Sequence, residues 1–347
     1  MKKILIIVLF GILLFGCLDQ SSAGGSSVLA TVTVGNHPSS AAYDPANGYM
    51  YITNDGSDTV SVVNGSAVIA TIPVGTAPSS ATYDPGNGYM YVTNGGYGRA
   101  NGDTVSIING TSVIATVPVG HVPAFSTYDP ANGYVYVLDK LNDSVSVISG
   151  SSVISNVTVG WLPSYAVCDP SNGYVYVVNA VDNTVSVING TTMIATVPVG
   201  SSTQFAAYDP GDGYVYAVNS VDGTVSVING THVIATVPVG VNPTSAVYDP
   251  GNGYMYVTNG QTVSAISGSS VITEIKVGNF PIYATYDSGN GYVYVVNGAD
   301  NTISVINGTS TIDIVPVGGT PESATYNPSN GHIYVVNFDS GTVSVLS

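Results

Sequence analysis

Side chains that could contact a ligand fall in a few short stretches of this chain, and most of them are aromatic. They are His37, Tyr97, Arg99, His121, Phe125, Trp161, Tyr165, Phe205, Phe280 and Tyr283. Aromatic rings offer large apolar areas with little conformational freedom, and rings flanked by polar groups suit contact with carbohydrate or peptide. The alternative interpretation is that these rings only fill interior space and that the loops around them bind nothing.

The histidines and acidic loops give a weaker case for a metal. The four histidines are scattered along the chain at 37, 121, 232 and 332, and their spacing does not bring three of them to one tetrahedral site. Asp55 and Asp58 share a loop whose oxygens suit Ca²⁺, but the loop lacks the full ligand spacing. We interpret it as a solvated turn and predict no metal and no cofactor.

Motifs for catalysis are missing from the sequence as well. It contains no Gly-x-Ser-x-Gly, no Cys/His dyad and no phosphate-binding loop, and no pair of acids stands out from the rest. We therefore expect a protein that is not an enzyme.

Composition excludes two further classes of protein. With 44% hydrophobic and only 7% charged residues, the chain is unlike intrinsically disordered sequences. Once Lys2 and Lys3 are removed with the leader described below, three basic residues face 21 acidic ones, a net charge of −18. Such a charge repels phosphate backbones, so we predict no nucleic-acid partner.

Eight copies of one unit of about 40 residues position the candidate residues. A Val-x-Gly tripeptide recurs with its glycine at 35, 75, 120, 160, 200, 240, 278 and 318. In the first copy we predict strand A at 39–43, strand B at 49–53, strand C at 59–63 and strand D at 68–74, joined by Asp-Pro and Asn-Gly turns. An all-β repeat of this period is typical of β-propeller blades.

Prolines and residue size assign each strand its place in a blade. Five of the D segments contain a proline, which a strand tolerates only at a sheet edge, so D is outermost. Strand A is rich in Ser and Ala, which suits the crowded centre, although Phe125, Tyr165, Phe205, Tyr283 and Glu322 depart from this background. The chain starts with a D segment (28–34) and ends with a C segment (342–346). We therefore predict an all-β, eight-bladed propeller of four-stranded antiparallel blades, in which the N-terminal outer strand completes the last three strands (3+1).

The strand B segments carry a family resemblance. Tyr91-Val92-Thr93-Asn94 and Tyr256-Val257-Thr258-Asn259, together with the preceding Asp-Pro-x-Asn-Gly, are similar to the YVTN β-propeller repeats. That family is abundant in surface-layer-type proteins of archaea and occurs in bacterial envelope proteins. The resemblance covers 28–347 and implies a cell-surface, non-enzymatic protein. It implies no catalytic residues, because the motif is structural.

The N-terminus indicates export. Lys2 and Lys3 precede an apolar run of about 12 residues, which is typical of a signal peptide and too short to span a membrane. Leu14-Phe15-Gly16-Cys17 resembles a prokaryotic lipobox, which implies lipidation of Cys17. We predict a signal peptide at 1–17, a flexible Ser/Gly tether at 18–27 and one propeller domain at 28–347, attached to the outer face of the cell membrane by its lipid alone. The alternatives are an ordinary cleaved signal and an uncleaved anchor.

Asn-x-Ser/Thr sequons point to a modification that exported proteins carry. They occur at Asn64, Asn109, Asn142, Asn156, Asn189, Asn229 and Asn307. Five of them coincide with the Asn-Gly turn that the repeat itself requires, so the fold explains them too. N-glycosylation is expected if the host performs it.

Taken together, these features favour a surface-anchored propeller that binds an envelope glycan or a surface protein. The D–A and B–C loops alternate with the other turns and share one rim, which we predict to contact the ligand by analogy with other propellers. Two alternatives stay open: a metal-dependent lactonase-like or lyase-like enzyme, and a structural component of a surface coat.

Overall fold

Eight four-stranded antiparallel sheets form the protein in a computed structural model, which describes residues 25–96 and 102–347. Within a sheet the strands follow one another in chain order, except in the last, where the order is β1-β32-β31-β30. The eight-bladed propeller and its 3+1 closure are therefore confirmed. Cys17, Tyr97 and Arg99 lie outside the described residues, as do the signal peptide and most of the tether.

The 32 strands are numbered in chain order, and blade 1 begins with β2. The A strands are β2 (Pro38–Asp44), β6 (Pro78–Asp84), β10 (Pro123–Asp129), β14 (Pro163–Asp169), β18 (Thr203–Asp209), β22 (Pro243–Asp249), β26 (Pro281–Asp287) and β30 (Pro321–Asn327). The B strands are β3 (Tyr49–Asn54), β7 (Tyr89–Asn94), β11 (Tyr134–Asp139), β15 (Tyr174–Asn179), β19 (Tyr214–Asn219), β23 (Tyr254–Asn259), β27 (Tyr292–Asn297) and β31 (His332–Asn337).

The two outer strands of each blade complete the set. The C strands are β4 (Thr59–Asn64), β8 (Thr104–Asn109), β12 (Ser144–Ser149), β16 (Thr184–Asn189), β20 (Thr224–Asn229), β24 (Thr262–Ser267), β28 (Thr302–Asn307) and β32 (Thr342–Leu346). The D strands are β1 (Val28–Thr33), β5 (Ala67–Pro73), β9 (Ser112–Pro118), β13 (Ser152–Thr158), β17 (Thr192–Pro198), β21 (His232–Pro238), β25 (Ser270–Lys276) and β29 (Ser310–Pro316). The helical element of residues 25–96 and 102–347 is a 3₁₀ turn at Asp55–Ser57, and no helix in this described part has the length and apolarity needed to cross a membrane.

The hydrophobic core lies between blades. Strands B and C are buried on both faces, so their side chains pack alternately against the preceding and the following blade. Between blades 3 and 4, for example, Tyr136 and Leu138 pack against Val175 and Val177. The largest fully buried side chains are the eight strand B tyrosines at positions 51, 91, 136, 176, 216, 256, 294 and 334.

Those buried tyrosines also link neighbouring blades by hydrogen bonds. Tyr91 donates its hydroxyl to the Gly150 carbonyl in the C–D turn of the next blade at 2.7 Å, and accepts a bond from Asn87 Nδ2 at 2.8 Å. The same donation to the next blade's turn recurs from Tyr51, Tyr136, Tyr216, Tyr256 and Tyr334. Because each hydroxyl finds its acceptor in another blade, one blade cannot satisfy its own buried polar groups.

A second inter-blade hydrogen bond runs in the opposite direction, from a strand A tyrosine to the preceding blade. The Tyr83 hydroxyl hydrogen-bonds the Asp44 carboxylate, and Tyr248 pairs with Asp209 in the same way. Cys168 replaces the tyrosine in blade 4, and its thiol donates to Asp129 Oδ1 at 3.3 Å. Burial, together with this carboxylate, raises the thiol pKa far above its usual value, so Cys168 has the character of a structural thiol.

The outer edge of each blade is protected by a bulge, and in five blades by a proline as well. In β5 the register shifts so that Val62 pairs with Ala70 and Val63 with Val68, which leaves Ile69 unpaired in the ladder. The other complete blades have the same bulge, and β1 bulges at Leu29. A bulge twists an edge away from further strand pairing.

At the ring closure the chain ends take the place of a C–D turn. The Ser347 amide donates to the Ser27 carbonyl at 3.1 Å, and Tyr294, whose equivalents reach a turn glycine, contacts Ser26 Oγ at 3.4 Å. These contacts begin at Ser26, within the stretch that we assigned to the tether. If Ser347 were joined to Gly25, the sequence Ser-Gly-Ser-Ser-Val would result, which is identical to 149–153 and 267–271.

Removal of one inter-blade hydroxyl should destabilise the ring. We expect Tyr91→Phe to lower the free energy of unfolding by about 1 to 2 kcal/mol, because the Gly150 carbonyl and the Asn87 amide lose a buried partner. The measurement is urea denaturation. Tyr294→Phe is the matched control, since its contact to Ser26 is long and its cost should be smaller. Equal losses in the two variants would contradict this account.

The closure also predicts a circular permutant. A chain that joins Ser347 directly to Gly25 and begins at Gly190 should fold without a linker, because the new junction reproduces a native turn. We expect a cooperative thermal transition no lower than that of residues 25–347. A junction lengthened by four glycines is the control and should melt lower. A permutant that does not fold would refute the turn-like closure.

Candidate functional site

The eight A strands surround an axial channel that contains a cavity of about 430 Å³. Its walls differ sharply around the ring. Blades 3, 4, 5 and 7 contribute Phe125, Tyr165, Phe205 and Tyr283, whereas blades 1, 2 and 8 contribute hydroxyl groups and Glu322. The cavity is therefore apolar on one side and polar on the other.

Strand register explains why these four rings converge. Phe125, Tyr165, Phe205 and Tyr283 occupy equivalent positions, each next to a bulge in strand A, and the other blades have Ser40, Ser80, Ser245 and Ser323 there. The strand B residue paired with each ring is Leu or Val, while Ser40, Ser80 and Ser245 pair with Thr. In seven of the eight blades this cross-strand pair is therefore either apolar on both strands or hydroxyl-bearing on both, and blade 8, with Ser323 opposite Val336, is the exception.

Three of the rings form a continuous stack. The centroids of Phe125 and Tyr165 are 4.3 Å apart, and those of Tyr165 and Phe205 are 4.0 Å apart with 28° between the planes. Tyr283 meets Phe205 edge to face at 6.2 Å. Desolvation raises the pKa of both Tyr165 and Tyr283, so both phenols are neutral at physiological pH. The rings fill part of the channel and also present an apolar wall to the remaining cavity.

On the opposite wall, hydroxyl groups connect the blades. Ser39 Oγ lies 2.9 Å from Thr53 Oγ1 and donates to the Pro78 carbonyl of the next blade at 3.1 Å. Ser79 makes the same pair of contacts in blade 2, so these two hydroxyls give the polar wall a fixed pattern of donors and acceptors. Thr244 makes the equivalent contacts in blade 6, away from this wall.

Glu322 interrupts this pattern in blade 8. It occupies the bulged position that holds Ser39 and Ser79 in the first two blades, and the nearby strand B residue is Val336 instead of threonine. Burial raises the pKa of its carboxyl to about 7, and the negative charges of Asp55 and Asp339 contribute to that shift. The sequence marks Glu322 only as a departure from Ser; its place in the cavity follows from the closure of the ring.

The D–A and B–C loops lie on one rim, as predicted. Their backbones are hydrogen-bonded to each other, for example Asp55 N to His37 O at 3.0 Å and Lys140 N to Val122 O at 3.1 Å. In each D–A loop one residue other than glycine has a positive φ, among them His37 (49°) and Phe280 (55°). Such a conformation is strained and is held by the surrounding bonds.

Apolar side chains are exposed on the rim above the aromatic wall. Trp161 is 61% exposed and Phe280 60% exposed. Four exposed aliphatic residues in other loops of this rim extend the surface: Leu141, Val181, Val221 and Val241. Acidic residues are spread around the whole rim: Asp339, Asp55 and Asp103 lie in loops of blades 8, 1 and 2, and Asp143, Asp182, Asp222 and Asp300 lie in loops of blades 3, 4, 5 and 7. The exposed apolar side chains of the rim, in contrast, lie on the same side of the ring as the aromatic wall.

The two rim histidines lie apart from the aromatic wall. His37 stacks on Phe338 with centroids 4.4 Å apart and 6° between the planes. His121 Nδ1 lies 3.8 Å from Asp103 Oδ2. Of the ten predicted ligand residues, the structure brings together Phe125, Tyr165, Phe205 and Tyr283 in the channel, and places Trp161 and Phe280 on the rim.

The loop with Asp55 and Asp58, which we interpreted as a solvated turn, has a structural role. Asp58 Oδ1 accepts the backbone N–H of Ala77 in the next D–A loop at 2.9 Å. Asp143, Asn183 and Asn301 cap the following loops in the same way. Within 25–96 and 102–347, no group of three or more His, Cys, Asp or Glu residues is placed to hold a metal ion.

The sequons occupy exposed positions. Asn64, Asn109, Asn189, Asn229 and Asn307 end C strands at the rim opposite the candidate site, and all five are exposed. Asn156 lies in an outer strand, where its amide oxygen accepts a bond from Ser146, and Asn142 accepts the backbone N–H of His121. Their glycosylation stays a prediction.

The asparagine that ends strand B anchors the rim. Asn54 accepts the Gly35 N–H at 3.1 Å and donates through Nδ2 to Thr59 and Ser61 of strand C. The D–A glycine is needed for this close approach: a Cβ at Gly75 would lie 2.6 Å from Asn94 Cγ. In blade 3 the asparagine is replaced by Asp139, which is fully buried, and burial raises the pKa of its carboxyl to about 6.

Asp139 should therefore make stability depend on pH. Its pKa is higher in the folded than in the unfolded chain, so stability falls as pH rises from about 4 through about 6. We expect Asp139→Asn to raise the free energy of unfolding by roughly 2 kcal/mol at pH 8 and by little at pH 4. Denaturant titrations at the two pH values measure this, with Asp313→Asn on the outer wall as the control for net charge. A gain that does not change with pH would contradict the assignment.

Comparisons with known proteins support the architecture alone. No protein-family model matches the sequence, and no curated protein sequence matches it. Among solved structures, the dihydro-heme d1 dehydrogenase NirN superposes with a TM-score of 0.70 at 13% identity, covering 91% of this chain and 75% of NirN. Virginiamycin B lyase from Staphylococcus aureus gives 0.63 at 15% identity, covering 91% and 98%.

A third similar structure is the WD40 β-propeller domain of Doa1, with a TM-score of 0.61 at 14% identity and coverage of 93% and 97%. These neighbours include enzymes and a WD40 domain, so the same architecture accompanies different activities. Together with the eight closed blades, they identify the chain as a β-propeller repeat protein.

Proposed function

We propose that this protein is an exported, lipid-anchored propeller of the YVTN type that binds an envelope glycan or a surface protein without catalysing a reaction. The signal-like N-terminus with Cys17 and the recurring strand B motif support the location. The observation that carries the binding role is that the exposed apolar side chains of the rim lie on the same side of the ring as the aromatic wall of the channel. Exposed Trp161 and Phe280 lie on the same side as the aromatic wall, and hydroxyl groups lie opposite.

The chemistry of the cavity favours binding over catalysis. Its lining consists of rings, hydroxyl groups and small residues, and its ionisable groups in the described chain are Glu322 and two tyrosines held neutral by burial. Proton-transfer chemistry of the lactonase or lyase kind uses paired groups or a metal-bound water. Apolar surface with a few fixed polar groups is typical of a recognition site.

Exposed aromatic residues on a rim are the usual anchors of such recognition. Apolar surface of this kind is costly to leave in water, and Trp and Phe are enriched at the centres of interfaces. Side-chain caps fix the backbone of the rim loops; for example, Asp182 Oδ2 accepts the Trp161 N–H at 2.7 Å. The backbone that carries this anchor is therefore ordered before a ligand binds, which lowers the entropic cost of binding.

Trp161 allows the proposal to be tested directly, because it is the single tryptophan of the chain and lies on the rim. Titration with a panel of soluble oligosaccharides and decapeptides should include ligands that shift its emission to shorter wavelength as they cover the ring. For such a ligand, Phe280→Ser should weaken binding about tenfold, the loss expected for one aromatic anchor.

The control is Ile234→Ser, which removes a comparably exposed apolar side chain from the outer wall. It should leave the affinity unchanged. An equal loss in both variants, or saturable binding with no change in Trp161 emission, would refute the rim as the binding surface.

A further inference from the structure

We propose that Glu322 makes the axial channel selective for ligands that carry a protonated amine beside an aromatic or apolar group. The inference rests on the proposed binding function and names the ligand class of the same channel. It is argued from the register of the repeat, the composition of the cavity and the charge around its mouth.

Comparison of equivalent positions shows how unusual Glu322 is. The bulged residue of strand A is uncharged in the seven other blades: Ser39, Ser79, Ala124, Ser164, Gln204, Thr244 and Ile282. A carboxyl in a half-buried channel has a desolvation cost that a serine would not have. This desolvation is the main cause of the raised pKa of Glu322.

The surroundings of Glu322 do not offset this cost within blade 8. In blades 1, 2 and 6 the bulged hydroxyl pairs with a strand B threonine, but blade 8 has Val336 there. The neighbouring Ser323 has a buried hydroxyl oxygen without a partner. Blade 8 thus holds a carboxyl and an unpartnered hydroxyl where blades 1, 2 and 6 have a bulged hydroxyl bonded to a strand B threonine and to the next blade.

The cavity fixes the rest of the ligand. Glu322 shares it with Phe125, Tyr165, Phe205 and Tyr283, so a group bound at the carboxyl has an aromatic wall beyond it. About 430 Å³ is within the range of small-molecule pockets and accommodates a phenyl ring with a short aminoalkyl chain. The ammonium group of such a ligand pairs with the Glu322 carboxylate, and its phenyl ring packs against the aromatic wall.

Electrostatics around the mouth favour a cation. Asp55, in the β3–β4 loop, and Asp339, in the β31–β32 loop, act on Glu322 with the same sign of charge. The whole chain carries a formal net charge of −16, which attracts cations and repels anions. Tyr165 and Tyr283 face the cavity as neutral phenols, so the carboxyl is the group whose ionisation changes near neutral pH.

The test uses two probes of equal shape, 2-phenylethylamine and 2-phenylethanol, and measures their dissociation constants by ligand-observed NMR. We expect the wild-type protein to bind the amine at least about tenfold more tightly than the alcohol, the size of one charge-assisted hydrogen bond. Amine affinity should rise about tenfold from pH 6 to pH 8, because Glu322 ionises across that interval while the amine stays protonated. Alcohol affinity should not change.

Two variants assign the effect to Glu322. Glu322→Gln keeps the shape of the side chain and should abolish both the preference for the amine and its pH dependence. Asp313→Asn removes one charge from the outer wall and should change neither. Thermal denaturation shows whether each variant is folded, and the alcohol serves as an internal measure of an intact aromatic wall.

Three results would overturn the proposal: binding of neither probe, equal binding of both by the wild type, or a preference retained in Glu322→Gln. These outcomes leave the rim experiment intact, since that experiment uses Trp161 and Phe280 and larger ligands. Failure there together with success here would confine binding to the channel and refute the rim.

Discussion

The hydrogen bond from strand B tyrosines to the next blade is the interaction on which the architecture depends. All eight tyrosines are fully buried, and six of them donate their hydroxyl to a turn carbonyl that belongs to the next blade. A second tie from strand A to the preceding Asp-Pro turn runs the other way. A blade outside the ring would expose both apolar faces and leave these groups unpaired, so the blades are stable only as neighbours.

Closure follows from the same constraint. A ring of such units has no free end, and the chain achieves this by placing β1 on β32. Ser347, Gly25 and Ser26 stand where other blades have a turn. On the opposite rim the D–A and B–C loops are fixed instead by Asn and Asp side-chain caps and by the strand B asparagine. Side chains on that rim are free to differ between blades without disturbing the ring.

The candidate site arises where the repeat departs from its own pattern. Four blades carry an aromatic residue next to the strand A bulge and four carry serine, and the strand B partner matches in seven of the eight cases. Blade 8 is the exception, with Ser323 opposite Val336 and Glu322 beside it. Eightfold symmetry explains the fold, and the loss of that symmetry gives the channel one apolar and one polar wall.

Strand order, blade number and the closing strand could be predicted from the sequence, because turn chemistry and proline placement are local signals that recur eight times. Strand ends in the first blade differ from the prediction by one residue. Phe125, Tyr165, Phe205 and Tyr283 could be chosen from their departure from serine, but not their stacking, since neighbouring rings come from residues about 40 positions apart. Glu322 was visible as an anomaly, yet its position in the cavity depends on the ring bringing blade 8 beside blade 1. Turn residues and prolines in the sequence determined the four-stranded blade. Which side chains share the channel was decided by the closed ring alone, because it depends on distances between blades that no single repeat contains.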